Sequence, residues 1–323
     1  MTGPVLITGA GGYIGSALCT HFVKNGVKVT ALVRRGGRPA PAGATPWLVD
    51  DLAEPWTADA ADLSGIQTVI HCAGRAHVLR ERAADPVAAF RRVNVEATLA
   101  LARAAATAGV RQFVFLSSIG VNGAASRGRP FRGDDAAQPE SPYAQSKWDA
   151  ERGMAALAAE TAMKVVSLRP PLVYGPSAPG NFALLVRAVQ SGWPLPLGGL
   201  RALRSFIALD NLCDLIDRIA DRPDHPGGTW TVADGEDIST ADFVRAIGRA
   251  LGRRPALLPV PAGLLSSLAG LVGRAEQVRK MAVELRVDVE ALRTDWGWHA
   301  PCSVQSALNA ALSRTTLDRK PST

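Results

Sequence analysis

Val5-Leu-Ile-Thr-Gly9-Ala-Gly-Gly12-Tyr-Ile-Gly15 sets four residues of strand character against three glycines spaced by three, and a helical stretch from Gly15 to Lys24 follows at once. A turn this tight needs a glycine to reach positive φ, and a missing Cβ lets the backbone approach a diphosphate. The helix N-terminus adds unpaired N–H groups and the positive end of a dipole. The spacing is GxxGxxG, not the commoner GxGxxG, but the strand before it and the helix after it supply the context a dinucleotide cradle requires. Gly9, Gly12, Tyr13, Ile14 and Gly15 are therefore predicted to hold a dinucleotide.

Working outward, apolar β-rich runs at Thr68 to His71, Phe113 to Ser117 and Val165 to Arg169 alternate with alanine-rich helical stretches at Val87 to Ala108 and Pro142 to Thr161. Val27 to Val33 supplies another strand. Short strands apolar on both faces imply a parallel sheet covered on each side, so the fold class is α/β, a doubly wound (Rossmann) sheet. The first domain is placed at 1–173. Pro and Gly punctuation then opens a smaller, mainly helical region, 174–323, with a helix from Asn181 to Ser191 and another from Thr240 to Leu251. A run near 229–232 is expected to rejoin the sheet.

Composition narrows the class. With 323 residues, 47% apolar and 20% charged, the chain reads as a globular protein, which excludes disordered and collagenous classes. Four scattered cysteines (Cys19, Cys72, Cys213, Cys302) make neither a zinc cluster nor a CxxC motif, and favour a reducing cytoplasm. The histidines form no cluster, so no metal is expected. Net charge is +7, carried by 30 arginines and 6 lysines dispersed along the chain, a pattern that argues against nucleic acid. The N-terminus enters a strand directly and reads as no signal peptide.

At the end of the second strand, where an acid would meet the adenine ribose of NAD, stand Arg34 and Arg35. Two guanidinium groups suit a 2′-phosphate, so NADP(H) is favoured. NAD bound through other contacts is the alternative. Asp51, followed by Leu52, is placed at the adenine amino group, with a plain turn residue as the alternative.

Ser141-Pro-Tyr143-Ala-Gln-Ser-Lys147 puts a phenol and an ammonium on one helix face, four residues apart. A phenol near pKa 10 becomes a usable base only where cations favour its phenolate. The strand Phe113 to Ser117 ends in Ser117-Ser118 at the position where open α/β sheets place chemistry, and Ser118 can donate to the oxygen on which the tyrosine acts.

Together these motifs resemble the extended short-chain dehydrogenase/reductase family, in its branch of nucleotide-sugar epimerases and dehydratases. Further matches are His71-Cys72-Ala73-Gly74, Asn94-Val95, Arg169-Pro170-Pro-Leu-Val173-Tyr-Gly-Pro176, Asn181 and Arg204-Ser-Phe-Ile-Ala-Leu-Asp210. The resemblance covers about residues 5 to 210. It implies Tyr143 as acid/base, Lys147 as the residue that orients the nicotinamide ribose and lowers the tyrosine pKa, and Ser118 as the donor to the reacting oxygen. It likewise assigns Cys72, Ala73, Gly74, Asn94, Ser117, Pro170 and Val173 to the cofactor, and Ser118, Asn181, Arg204 and Asp210 to a nucleotide-activated sugar, UDP-linked. Relatives dimerise through the helix bearing the Tyr-xxx-Lys pair, so a homodimer is implied as well.

Departures from the family pattern bear on the reaction. Dehydratases and decarboxylating relatives keep a carboxylate beside the catalytic hydroxyl, whereas this chain has Ile119-Gly120. Two reactions at C4 remain. The arginines favour an NADPH-dependent 4-keto-sugar reductase of surface-polysaccharide synthesis; the alternative is a UDP-hexose 4-epimerase with retained NAD. A non-catalytic dinucleotide sensor is more distant, because Tyr143 and Lys147 are both present.

One segment stands apart from this chemistry. The longest uncharged stretch, Pro255 to Gly273, is interrupted by Pro259, Pro261, Ser266 and Ser267 and its helical part runs only about three turns, too short for an integral membrane span, yet Ala262 to Gly273 groups Leu264, Leu265, Leu268, Leu271 and Val272 on one helix face. Packing within the smaller domain or on a partner subunit is the plainer reading. Peripheral docking at the inner membrane surface is the sharper one.

Overall fold

Val5–Thr8 (β1) is buried along its whole length, as a strand apolar on both faces must be, and it lies in the interior of a seven-stranded parallel sheet. The computed structural model describes residues 2–51, 60–75, 85–270 and 275–317. In chain order the first elements are β1, Tyr13–Lys24 (α1), Val29–Arg34 (β2), Thr45–Val49 (β3) and Thr68–His71 (β4). Then come Pro86–Arg91 (α2), a π-helical turn over Arg92–Ala97, Thr98–Thr107 (α3), Gln112–Leu116 (β5), Pro142–Glu160 (α4), Lys164–Arg169 (β6), Leu172–Tyr174 (β7) and Asn181–Ser191 (α5). The remainder is Leu203–Arg204 (β8), Phe206–Ala208 (β9), Leu209–Ala220 (α6), Gly228–Thr231 (β10), Ile238–Ser239 (β11), Thr240–Ala250 (α7), Ala262–Gly270 (α8), Ala275–Ala282 (α9), Glu290–Trp296 (α10) and Val304–Leu317 (α11).

The strand order is β10-β6-β5-β4-β1-β2-β3, so the chain reverses direction across the sheet between β1 and β4. A crevice opens at that switch point, outside the carboxyl ends of the strands. One face of the sheet packs α1, α6 and α10 residues (Leu18, Phe22, Leu212, Ile216, Leu292) on Ile7, Val114 and Val166. The other packs Leu101, Ala105, Ala150 and Met154 of α3 and α4 on Leu6, Phe113 and Phe115. The inner strands β1, β4 and β5 thus bury both sides, which explains their unbroken apolar runs, whereas the edge strand β3 is largely exposed. The segment near 229–232 enters the sheet as β10, parallel to β6.

Beyond β6 the chain builds a second core. Tyr174, Phe182, Phe206 and Phe243 meet there, the last two stacked at 4.3 Å, with Leu308 of α11 beside them. Two short strand pairs, β7 with β9 and β8 with β11, tie this region together.

Two expectations need correction. The helix read from Val87 to Ala108 is not continuous α-helix, because the π-turn over Arg92–Ala97 inserts wider backbone rings in its middle. The apolar stretch from Ala262 does not bury one leucine face: Leu265 is 8% exposed, but Leu264 and Leu268 are 55% and 53% exposed. The helix is turned so that Leu265, with Ala262 and Ala269, packs on Leu200 and Val278. Leu271 and Val272 lie outside the described residues.

Candidate active site

The glycine turn after β1 has the shape its spacing predicts. Gly9 adopts φ +67°, and a Cβ there would stand 2.8 Å from the Ala73 backbone nitrogen. A Cβ on Gly15 would come within 2.3 Å of the Gly9 carbonyl, so α1 can pack this closely on the turn only with glycine. Gly12 caps α1 with no side-chain hydrogen bond, leaving the first-turn N–H groups to an anion. A cavity of about 580 Å³ opens there, lined by Gly9, Gly12, Arg34, Asp51, Cys72, Ala73 and Gly74 among others. Its size and its glycine wall fit a nucleotide with its diphosphate.

A second cavity, about 230 Å³, is lined by Ile14, Cys72, Gly74, Ser117, Ser118, Tyr143, Lys147, Pro170 and Val173. Both cavities include Cys72, Gly74 and Arg75, so one elongated ligand can run from the glycine turn to the tyrosine.

The tyrosine helix is set by its start. The Ser141 hydroxyl accepts the Ala144 N–H at 3.2 Å and Pro142 occupies the first turn, a strong N-terminal signal. From that origin Tyr143, Lys147 and Glu151 fall at four-residue intervals, and together they grip the last residues of β5 and the two that follow. Tyr143 and Ser118 both line the smaller cavity, and the Ser118 side chain favours the phenolate. The Lys147 Nζ donates to the Leu116 carbonyl at 2.8 Å and lies 4.6 Å from the Phe115 ring centroid. The Ser117 hydroxyl donates to the Glu151 carboxylate. Asn94 sits in the π-turn, 1% exposed. It accepts the Arg75 N–H at 2.7 Å and donates to the Arg75 carbonyl at 3.1 Å and the Ser146 hydroxyl at 2.9 Å. It thereby fastens the loop after β4 to α4.

The electrostatics differ in one respect from the expectation. Burial pushes the Tyr143 phenol up to about 12, opposed by the Ser118 side chain. Lys147 is directed at a backbone carbonyl, and its own pKa falls to about 8 because burial penalises the ammonium, with Cys72 and Glu151 acting the other way. In the protein alone the tyrosine is thus held as a neutral phenol, and a cation bound in the cavity is needed to favour its phenolate.

The remaining sequence candidates separate. Arg34 lines the larger cavity, while the Arg35 Nε donates to Asp50 at 2.8 Å on the exposed surface. The Arg204 guanidinium donates to the Val283 carbonyl at 2.9 Å and the Lys280 carbonyl at 2.5 Å. Burial lowers its pKa to about 10. Asn181 is exposed at the start of α5. Tyr13 and Asp210 line a third groove, beside α1. None of these four residues is among those lining the tyrosine cavity. Leu52 lies outside the described residues. The His71 ring bridges the Thr8 and Thr98 hydroxyls at 2.9 and 3.0 Å, and burial lowers its pKa to about 3, so it is a neutral internal link.

Sequence reasoning missed Arg38, Arg75 and Arg92, which join Arg34 around the larger cavity. It also missed Glu151, although a carboxylate four residues beyond Lys147 on the same helix face was a readable signal.

Comparison with known proteins identifies the family. Residues 5–233 match the NAD dependent epimerase/dehydratase family. A UDP-glucose 4-epimerase of Vibrio cholerae is 36% identical over 305 residues, covering 93% of this chain and 92% of that protein. A dihydroflavonol 4-reductase of Zea mays is 31% identical over 234 residues, covering 66% of this chain and 65% of its own. Among solved structures, MoeE5 in complex with UDP-glucose and NAD superposes with a TM-score of 0.77 at 26% identity, covering 98% of this chain and all of that one.

Proposed function

The chain belongs to the NAD dependent epimerase/dehydratase family, and from that premise we propose that it is a UDP-hexose 4-epimerase that retains NAD. The likeness to the Vibrio cholerae epimerase over nearly its whole length is the single observation that carries this reading, ahead of the reductase favoured by the sequence alone. The two cavities support it, since they share Cys72, Gly74 and Arg75 and lie between the glycine turn and Tyr143.

In this reading the bound nicotinamide supplies reversible hydride exchange with C4 of the sugar. Tyr143 takes the proton of the C4 hydroxyl and later returns it, while Ser118 donates a hydrogen bond to the same oxygen. Lys147 places a positive charge behind the tyrosine and a donor beside the ribose. With Ile119 and Gly120 after Ser118, the chain has no carboxylate there for eliminating water, so hydride and proton transfer are the chemistry to which these residues are suited. The region 174–323 receives the sugar, with Asn181, Arg204 and Asp210 assigned to it by resemblance. Arg204 would have to exchange a backbone carbonyl for a phosphate oxygen.

A second reading, the NADPH-dependent 4-keto-sugar reductase, is favoured by Arg34, Arg38, Arg75 and Arg92 around the larger cavity. Four guanidinium groups suit a 2′-phosphate. The experiment that separates the two is denaturation of freshly purified protein with mass identification of the released nucleotide, followed by incubation with UDP-glucose and UDP-N-acetylglucosamine. Released NAD and interconversion of a UDP-hexose with its C4 epimer support the epimerase. An empty protein that consumes NADPH with a 4-keto sugar overturns it.

A further inference from the structure

The apolar helix α8 takes no part in the chemistry above, and its surroundings are unusual in two ways. Trp193, Leu258, Leu264 and Leu268 are 75%, 49%, 55% and 53% exposed. They belong to one hydrogen-bonded unit. The Leu195 N–H donates to the Ala256 carbonyl at 2.8 Å, the Leu258 N–H to the Leu195 carbonyl at 2.8 Å, and the Gly198 N–H to the Leu258 carbonyl at 2.9 Å. Pro259 to Pro261 then lead into α8, where Leu265 anchors the helix on Leu200 and Val278 and leaves Leu264 and Leu268, four residues apart, facing outward. Large apolar side chains presented together in this way mark an interaction surface.

Charge is the second observation. The segments that build this unit and its flanks, 181–209 and 251–282, contain eight arginine and lysine residues and one acidic residue, Glu276, so they account for the whole net charge of +7. Arg187, Arg201, Arg253, Arg254, Arg279 and Lys280 are exposed. Arg253 also donates to the Gln190 carbonyl at 2.9 Å, and Lys280 pairs with Glu276 at 2.7 Å. A second copy of the chain placed here about a two-fold axis would set this basic surface against itself. An anionic surface meets both features: the basic side chains pair with headgroups while the leucines and the tryptophan enter the acyl boundary. At nine residues α8 is far too short to span a bilayer, and no helix among the described residues is long and apolar enough to do so.

We propose that the surface formed by Trp193, Leu258 and the outer face of α8, together with the exposed arginine and lysine side chains of the same segments, docks the protein onto an anionic lipid bilayer. The inference is independent of which C4 reaction the active site performs.

The test is sedimentation of the full chain with vesicles of phosphatidylethanolamine and phosphatidylglycerol, and with vesicles of phosphatidylcholine alone. The protein should pellet with the first and not the second, and 0.5 M salt should weaken binding at least tenfold. Leu264→Ser with Leu268→Ser should weaken it about tenfold while leaving the thermal midpoint and sugar turnover unchanged. Arg279→Glu with Lys280→Glu should weaken it by more, at about fivefold or greater for each side chain. Should the leucine variant fold poorly, the charge variant decides alone. Failure to pellet at low salt, equal pelleting with phosphatidylcholine, or unchanged binding by the charge variant would overturn the proposal. So would light scattering that shows the leucine changes splitting a dimer, which would give the face to a second subunit.

Discussion

Arg169 and Glu151 form a fully enclosed ion pair, 2.6 Å between Nη2 and Oε2, with each side chain 3% exposed. The arginine comes from β6 and the glutamate from α4, and the same carboxylate accepts the Ser117 hydroxyl. Arg169 also donates to the Asn122 Oδ1 at 3.1 Å and the Gly133 carbonyl at 3.3 Å. The pair therefore holds the residue next to Ser118 against two elements at once. Glu151→Gln leaves Arg169 as a buried charge with no counter-charge, which should cost about 3 kcal/mol in urea unfolding. Wild-type stability in that variant would show that the pair holds nothing. The same change should lower turnover more than it raises KM, because Ser118 loses its fixed position while the cavity walls remain.

Tyr143→Phe removes the phenol hydroxyl from the smaller cavity it shares with Ser118 and nothing else that lines it. Turnover should fall by about 10²- to 10⁴-fold. Nucleotide affinity, measured by fluorescence titration, should stay within about twofold, because the glycine turn and the larger cavity do not contain this residue. A parallel loss of affinity would mean that the tyrosine serves the fold rather than the reaction.

The parts legible in the sequence were those with a local physical signature. The glycine spacing gave the turn because Gly9 must take a positive φ and Gly15 would clash with Gly9, six residues away. Helix α5 was readable to its ends because Gly180 and Gly192, both at positive φ, bracket it. The pairs β7 with β9 and β8 with β11 were not readable, since two or three residues carry no periodicity and their partners lie about 35 residues away. Of the four-arginine rim only Arg34 was legible. Arg34 ends β2, but Arg38 lies in a loop, and Arg75 and Arg92 reach the cavity from the loop after β4 and from the π-turn, so only the folded chain brings them together.

Arg34 and Arg35 are adjacent in sequence but differ in position, and this separates their expected effects. Arg34→Asp places a carboxylate in the larger cavity beside any 2′-phosphate and should weaken NADPH about tenfold or more while sparing NADH. Arg35→Ala removes a side chain already paired with Asp50 on the exposed surface, and both affinities should stay within about twofold. Titration of both nucleotides into each variant checks this. Equal losses from the two changes would contradict the placement.

Lys147 makes stability and activity respond to pH in opposite directions. Burial lowers its pKa from 10.5 to about 8, so between these values the unfolded chain binds more protons than the folded one. Stability contributed by this residue is therefore present above 10.5 and lost as pH falls through 8, a penalty of about 3 kcal/mol below that point. Cys72 and Glu151 moderate it without reversing its sign. Turnover needs the ammonium behind Tyr143, so it should decline as pH rises past about 8, over the same range in which unfolding midpoints corrected for other groups should rise. In Lys147→Met the first effect should be replaced by a low, flat profile and the second should vanish, because a neutral side chain of similar length fills the space without a charge to desolvate. A rate that keeps climbing from pH 8 to pH 10 in the wild-type protein would remove the ammonium from the mechanism.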